Sequence, residues 1–281
     1  MRAPAPALRL FLGARTEGAD LDMAQGRVSV RSFRSPAKDT DNEDSAAVIP
    51  FGSDGLVLAV ADGVGGSPGG KQASNLAVQT LADVLTSRSP EPDNLRAAIV
   101  DAVEEANRQI LELGRGSATT LVVGEFLNGQ VRSYHVGDSE LMSVGQRGRI
   151  KLRVIPHSPT GFAVEAGLLD EDEAIEHDTR HLLFNVIGAP DMRIEIGTPV
   201  RVDDYDTVLL SSDGLLDNLF VDEIVRIIRC GDLANAADEL TALALARMAG
   251  GDSGPSKPDD LTIVLYRLPP RRKRRRCSSS G

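Results

Sequence analysis

Tryptophan is absent from this 281-residue chain, and aromatic residues make up only 4% of it. The core must therefore be built from Ala, Val, Leu and Ile. Two cysteines are too few for a disulfide framework in a chain this long. Cys230 follows an apolar helical run and Cys277 sits in a basic tail, so both read as free thiols in a reducing, cytoplasmic setting. No window approaches the roughly 18 uninterrupted apolar residues of a membrane helix. The apolar patch Leu8 to Leu12 is too short for a secretory signal and lacks a small-residue cleavage site. HExxH and CxxC spacings are missing, so His135, His157, His177 and His181 give no zinc signature. No internal repeat is visible.

What is there is ordinary for a globular protein: 41% hydrophobic and 26% charged residues. A prior of about 150 residues per domain gives two domains, but mixed folds run to about 200–250 residues as one. The net charge of −10 is unevenly spread. Residues 271–276 (RRKRRR) hold six of the 31 bases, which leaves the rest of the chain strongly acidic. Such a body repels polyphosphates and suits divalent cations, which take carboxylate oxygens. RRKRRR has no interleaved aromatics, so nucleic-acid binding is not the expectation. Residues 1–26 read as a disordered segment, 27–268 as the folded domain, and 269–281 as a disordered basic tail.

Periodicity divides the domain. Val28 to Phe33 alternates at period two, and Ala46–Ile49 and Leu56–Ala61 are apolar runs around the turn Phe51 to Gly55. Ala73, Ala77, Leu81, Val84 and Leu85 share a helical face, as do Leu95, Ile99, Ala102, Val103, Ala106 and Ile110, with Asp93 as an N-cap candidate. Strand signals return at 119–126, 131–136 and 140–144, the first two joined by Asn128-Gly129. A polar, acidic stretch follows from His157. Val208–Leu210 is a strand, 224–228 and 233–248 are helical, and Leu261–Tyr266 is the final strand. Strict strand–helix alternation is missing, so the expectation is layered antiparallel sheets with helices outside.

The functional signal is where the acids fall. Glu43-Asp44, Asp62-Gly63, Gly137-Asp138, Asp213-Gly214 and Asp259-Asp260 all lie at ends of apolar strands. One Asp beside Gly is an ordinary turn former. Five such sites against buried strands point to one rim where strand ends converge. Clustered carboxylates repel unless protonated or metallated. Mg²⁺ or Mn²⁺ takes about six oxygen ligands and retains waters. Two such ions about 3.5–4 Å apart can activate water and clamp a phosphoryl oxygen, so phosphoester hydrolysis is the expected reaction.

Six motifs occur in order: DNEDS (41–45), ADGVGG (61–66), GSATT (116–120), HVGDSE (135–140), SSDGLLDN (211–218) and PDDLT (258–262). Over roughly 27–268 the chain resembles the metal-dependent, type 2C serine/threonine protein phosphatases, most of all the compact bacterial members. The resemblance implies an α+β fold, a four-layer α-β-β-α sandwich of two antiparallel sheets flanked by helices. It implies hydrolysis of phosphoserine and phosphothreonine by a metal-activated water at a dinuclear Mn²⁺ or Mg²⁺ centre. Asp62 would bridge both ions and the Gly63 carbonyl would bind the first. Asp213 and Asp259 would bind the second, making Asp62, Asp213 and Asp259 the catalytic core. Glu43 and Asp44 would hold metal-bound waters. Asp138 matches the acid that holds a third, weaker ion with Asp213 in family members. Ser139, Ser211, Ser212 and Asp217 would be supporting residues. No GxSxG surrounds any serine, and GGSPGGK is not a P-loop because Gln72 follows Lys71.

Three departures stand out. The phosphate-gripping Arg of many members is Asp39 here, leaving Lys38 or Arg34 as substitutes, and a Lys offers a point charge rather than a fork. The general-acid His of some members is Val64. The usual Asn after the last metal Asp is Asp260, which adds negative charge near the second ion. Residues 157–195 resemble the family's flap, including RHLLFNVIG, with its histidines structural or solvent-facing rather than ligands. Expected partners are phosphorylated proteins and a cognate Ser/Thr kinase, with the protein acting as a monomer. The alternative, a catalytically weak phosphoprotein-binding module of the same fold, rests only on the missing Arg.

Overall fold

Residues that alternate between two buried faces set the architecture. In β4 (Asp44–Phe51) and β5 (Gly55–Asp62), Ala46, Val48, Leu56, Leu58 and Val60 point into one apolar cluster. The intervening Ala47, Ile49, Val57, Ala59 and Ala61 point into another. A strand buried on both faces reads as a continuous apolar run, which is why these two were visible as such. The computed structural model describes residues 7–23, 25–64, 69–114, 116–251 and 254–268. The basic run 271–276, Cys277 and the Gly65-Gly66 pair lie outside the described residues.

Two antiparallel sheets stack face to face. The first runs β1 (Arg9–Phe11), β4, β5, β6 (Leu121–Leu127), β7 (Gln130–Val136) and β10 (Glu195–Ile196), with β11 (Val200–Arg201) also on β7. The second runs β2 (Thr16–Met23), β3 (Gly26–Phe33), β13 (Leu261–Arg267), β12 (Thr207–Ser211), β8 (Glu140–Val144) and β9 (Ile150–Arg153). Between them Val30, Leu58, Val122, Leu141, Leu210 and Val264 form the central core. Helices α1 (Gly70–Ser87) and α2 (Pro92–Leu113) cover the first sheet. Helices α6 (Val221–Ile228) and α7 (Leu233–Met248) cover the second. The result is the expected α-β-β-α sandwich. Asn128 and Gly129 both take positive φ, as a two-residue hairpin turn requires.

Two sequence expectations need correction. Residues 9–11 and 16–23 are not disordered: β1 pairs with Ala46–Val48, and β2 pairs with β3 along all eight residues. Both are sheet edges, where the apolar pattern that marks a strand is weak. β2 (TEGADLDM) exposes every second residue and carries three acids, the charged character that edge strands use against aggregation. Asp93 does not cap α2. Pro92 opens that helix after Glu91, and Asp93 lies inside the first turn, where an acid favours the helix dipole.

The stretch from His157 holds α3 (Pro159–Glu165) and α4 (Glu171–Ile175), then returns to the first sheet through β10. Ser158 caps α3 by accepting the Gly161 N–H at 3.0 Å.

Candidate metal centre

Strand polarity gathers the acids. Asp44 opens β4 and Asp62 closes β5, and the antiparallel ladder makes them direct partners. β6 and β7 follow in the same sheet, so the end of β7 and Asp138 beyond it reach the same edge. In the second sheet, Ser211 at the end of β12 pairs with Glu140 and Ile263, so β8 and β13 begin there. Asp213 then opens the short α5 (Asp213–Leu216), and Asp259 precedes β13. The sheets meet where Ser212 Oγ donates to Asp44 Oδ2 at 2.7 Å.

The electrostatics are those of an anion cluster. Burial raises the Asp62 carboxyl well above the usual range, and the charges of Asp44, Asp213, Asp259 and Asp138 raise it further. Burial raises Asp44, with Asp260 adding to the effect. Asp138 is likewise raised by burial, then by Asp213 and Asp217. Asp259 is pushed up to about 6 by burial and Asp213, and Asp217 to about 7 by the same causes. Asp213 is the exception. Burial pushes it upward, but Lys257, together with hydrogen bonding to Asp62 and Asp217, brings it below the usual range. Asp44 Oδ1 and Asp213 Oδ1 are buried with no hydrogen-bond partner. Unpaired buried carboxylate oxygens are costly. A hard divalent cation or a water bound to it would satisfy each, and an all-oxygen donor set is the one Mg²⁺ and Mn²⁺ prefer. The residues present therefore fit the metal.

The frame around the acids is backbone-tight. The Asp62 carbonyl accepts from Thr119 Oγ1 at 2.7 Å and Thr120 N–H at 2.8 Å. A Cβ on Gly63 would stand 2.4 Å from the Gly70 carbonyl carbon, so glycine is what lets α1 start beside Asp62. Ser139 bonds Thr120 at 2.6 Å, a supporting role.

Several residues have partners that the sequence did not disclose. Asp260 lies buried as a loop clamp: its oxygens accept the N–H of Ser35 and of Glu43, both at 2.7 Å, and the Lys38 ammonium at 2.5 Å. Lys38 also reaches Glu43 Oε2 at 3.0 Å. Arg34 donates to the carbonyls of Asp39 and Thr40. The structure thus gives both expected phosphate-binding cations other partners: Asp260 and Glu43 for Lys38, and backbone carbonyls of the 34–43 loop for Arg34. Two further cations stand beside the acids. Lys257 sits among Asp213, Asp217 and Asp259. Arg180, from the flap, lines a cavity of about 220 Å³ together with Arg153, Asp138, Asp213 and Asp217.

The histidines behave structurally. His177 and His181 are exposed. His157 Nδ1 accepts the Gly137 N–H at 3.1 Å, which leaves its Nε2 protonated toward Glu195 at 3.2 Å. That tautomer offers no lone pair to a metal between His135, His157 and Glu195. It ties the start of the flap to the residue before Asp138.

A family profile described as Protein phosphatase 2C matches residues 36–244. The chain is 29% identical over 238 residues to protein phosphatase PhpP of Streptococcus pneumoniae, covering 82% of this chain and 93% of the relative. It superposes on the S. agalactiae serine/threonine phosphatase with a TM-score of 0.74 at 25% identity, over 86% of this chain and 99% of that one. The catalytic domain of the serine/threonine protein phosphatase PstP, solved with two manganese ions, matches with a TM-score of 0.68 at 26% identity, over 86% and 97% of the two chains. With sandwich, acidic rim and ordered motifs all in agreement, the chain belongs to the protein phosphatase 2C family of serine/threonine phosphatases.

Proposed function

We propose that this protein hydrolyses phosphoserine and phosphothreonine in proteins at a dinuclear Mn²⁺ or Mg²⁺ centre. The observation that carries the reading is the meeting of Asp44, Asp62, Asp138, Asp213 and Asp259 at one rim, with buried carboxylate oxygens lacking partners. Asp62 and the Gly63 carbonyl would hold the first ion, and Asp62, Asp213 and Asp259 the second, with Glu43 and Asp44 acting through waters. The two manganese ions in the PstP structure support this count. Bound divalent cations supply a nucleophilic water at neutral pH and neutralise charge on the transferring phosphoryl group.

The chain's own part is positioning. Ser212 fixes Asp44, and Thr119 with Thr120 fixes the Asp62 backbone. The Asp260 clamp holds Glu43 next to Asp44. Flap residues, Arg180 among them, wall the cavity beside the acids, so the choice of phosphoprotein resides there. Among the described residues no helix is long and apolar enough to cross a membrane. Cys230 is a free, exposed thiol, which fits work in a reducing cytoplasm, on targets of a Ser/Thr kinase.

The test is turnover of p-nitrophenyl phosphate and of a phosphothreonine peptide with Mn²⁺, repeated after EDTA. Both activities should vanish on chelation and return with Mn²⁺. Activity that survives complete chelation overturns the reading.

A further inference from the structure

Lys257 is placed by its backbone before its side chain does anything. Its N–H donates to Asn218 Oδ1 at 2.8 Å, and its carbonyl accepts from Asn218 Nδ2 at 2.9 Å. Asn218 is fully buried and also donates to the Gly214 carbonyl, at the turn that carries Asp213. This two-way lock fixes the Lys257 backbone against α5. The side chain, mostly buried, then delivers its ammonium to Asp213 Oδ2 at 2.8 Å and to Asp217 Oδ2. Asp259 Oδ2 lies 3.8 Å away. The i, i+4 spacing of Asp213 and Asp217 brings both carboxylates to one side of the helical turn.

We propose that the Lys257 ammonium is a resident cation that takes the place of a third divalent ion over Asp213 and Asp217, so that this chain binds two metal ions and not three. The proposal rests on the dinuclear reading above and concerns a different edge of the same acids. Asp213 divides its labour: Oδ2 is taken by Lys257, while Oδ1 is buried and unpartnered and remains for a metal. Asp217 is paired with the same ammonium, and Asp138 lines the same cavity as Asp213 and Asp217. An ammonium of unit charge neutralises a carboxylate without exchanging with solvent. A third, weakly held ion at this place would come and go with metal concentration.

The experiment counts ions. Mn²⁺ is titrated calorimetrically into the metal-free full-length protein and into Lys257→Met, which keeps the side-chain length and removes the charge. The wild type should bind two ions and Lys257→Met three. Asp138→Asn added to Lys257→Met should return the count to two, and Lys257→Arg alone should stay at two. Three ions in the wild type, or two in a folded Lys257→Met, overturns the proposal while leaving the metal centre standing. A wild type that binds none overturns both. Should Lys257→Met fail to fold, Asp217→Asn decides. A residue held by Lys257 rather than by metal should leave the count at two, with affinity falling by less than the roughly tenfold typical of a lost metal-supporting group. A larger loss makes Asp217 a metal ligand and removes the lysine from its assigned place.

Discussion

Asp44 and Asp62 sit directly opposite each other across the β4–β5 ladder, two carboxylates in a position where like charges destabilise a sheet. Both carboxyls are shifted well above the usual range, by burial first and by neighbouring acids second. Asp259 and Asp217 follow at about 6 and about 7. A native state that keeps protons the unfolded chain has lost becomes less stable as pH rises. For Asp259 and Asp217 the window opens near the ordinary carboxylate value and runs to about pH 6 and about pH 7. Metal binds the deprotonated acids, so the rise in melting temperature on adding Mn²⁺ should grow between about pH 5 and pH 7. Thermal melts with EDTA and with saturating Mn²⁺ measure it. An equal Mn²⁺ effect at both ends counts against a metal–carboxylate centre.

Asp62→Asn and Asp213→Asn should each lower kcat/KM for p-nitrophenyl phosphate by at least about two orders of magnitude, since each removes a proposed metal ligand. Asp62→Asn should also raise the melting temperature of the metal-free protein at neutral pH, because it removes a carboxyl whose ionisation burial and four other aspartates oppose and which the unfolded chain ionises freely. Loss of activity with gain of metal-free stability distinguishes a ligand from a residue that merely supports the fold.

Asp260→Ala strips acceptors from two backbone N–H groups and from Lys38. Leaving a buried donor unpaired costs about 1–3 kcal/mol, so the variant should lose about 2–4 kcal/mol in urea unfolding. Release of Glu43 should weaken Mn²⁺ binding as well, on the order of tenfold. Unchanged stability would mean the 34–43 loop is held by something else.

Gly214→Ala tests the fit of α5 against β13. An added Cβ would stand 1.9 Å from the Asp260 carbonyl oxygen. Overpacking of this kind costs about 1–3 kcal/mol, readable by urea unfolding. Because Asp213 precedes the glycine and Asp259 precedes the contacted residue, activity should fall with stability.

The parts legible in the sequence are those where both faces of a strand are apolar or where a motif is local. β4, β5 and β13 declared themselves as apolar runs, and Asp62-Gly63 and Asp213-Gly214 declared themselves at strand ends. β2 was lost because its partner supplies the only reason for it to be extended. Lys38 looked like a phosphate ligand by chain position, but its partner Asp260 is more than 200 residues away. Lys257 had one available signal, a base immediately before the Pro258-Asp259-Asp260 run. Whether such a lysine turns inward depends on Asn218, which chain order alone does not bring near.

The two N-terminal strands part company: β1 joins the outer margin of one sheet and β2 that of the other. A fragment trimmed to begin at residue 27 would therefore unzip both halves of the molecule at once, baring the hydrogen-bonding groups of β4 and β3. Naked margins of that length recruit other chains, so such a truncation should clump in solution with its acidic rim still complete.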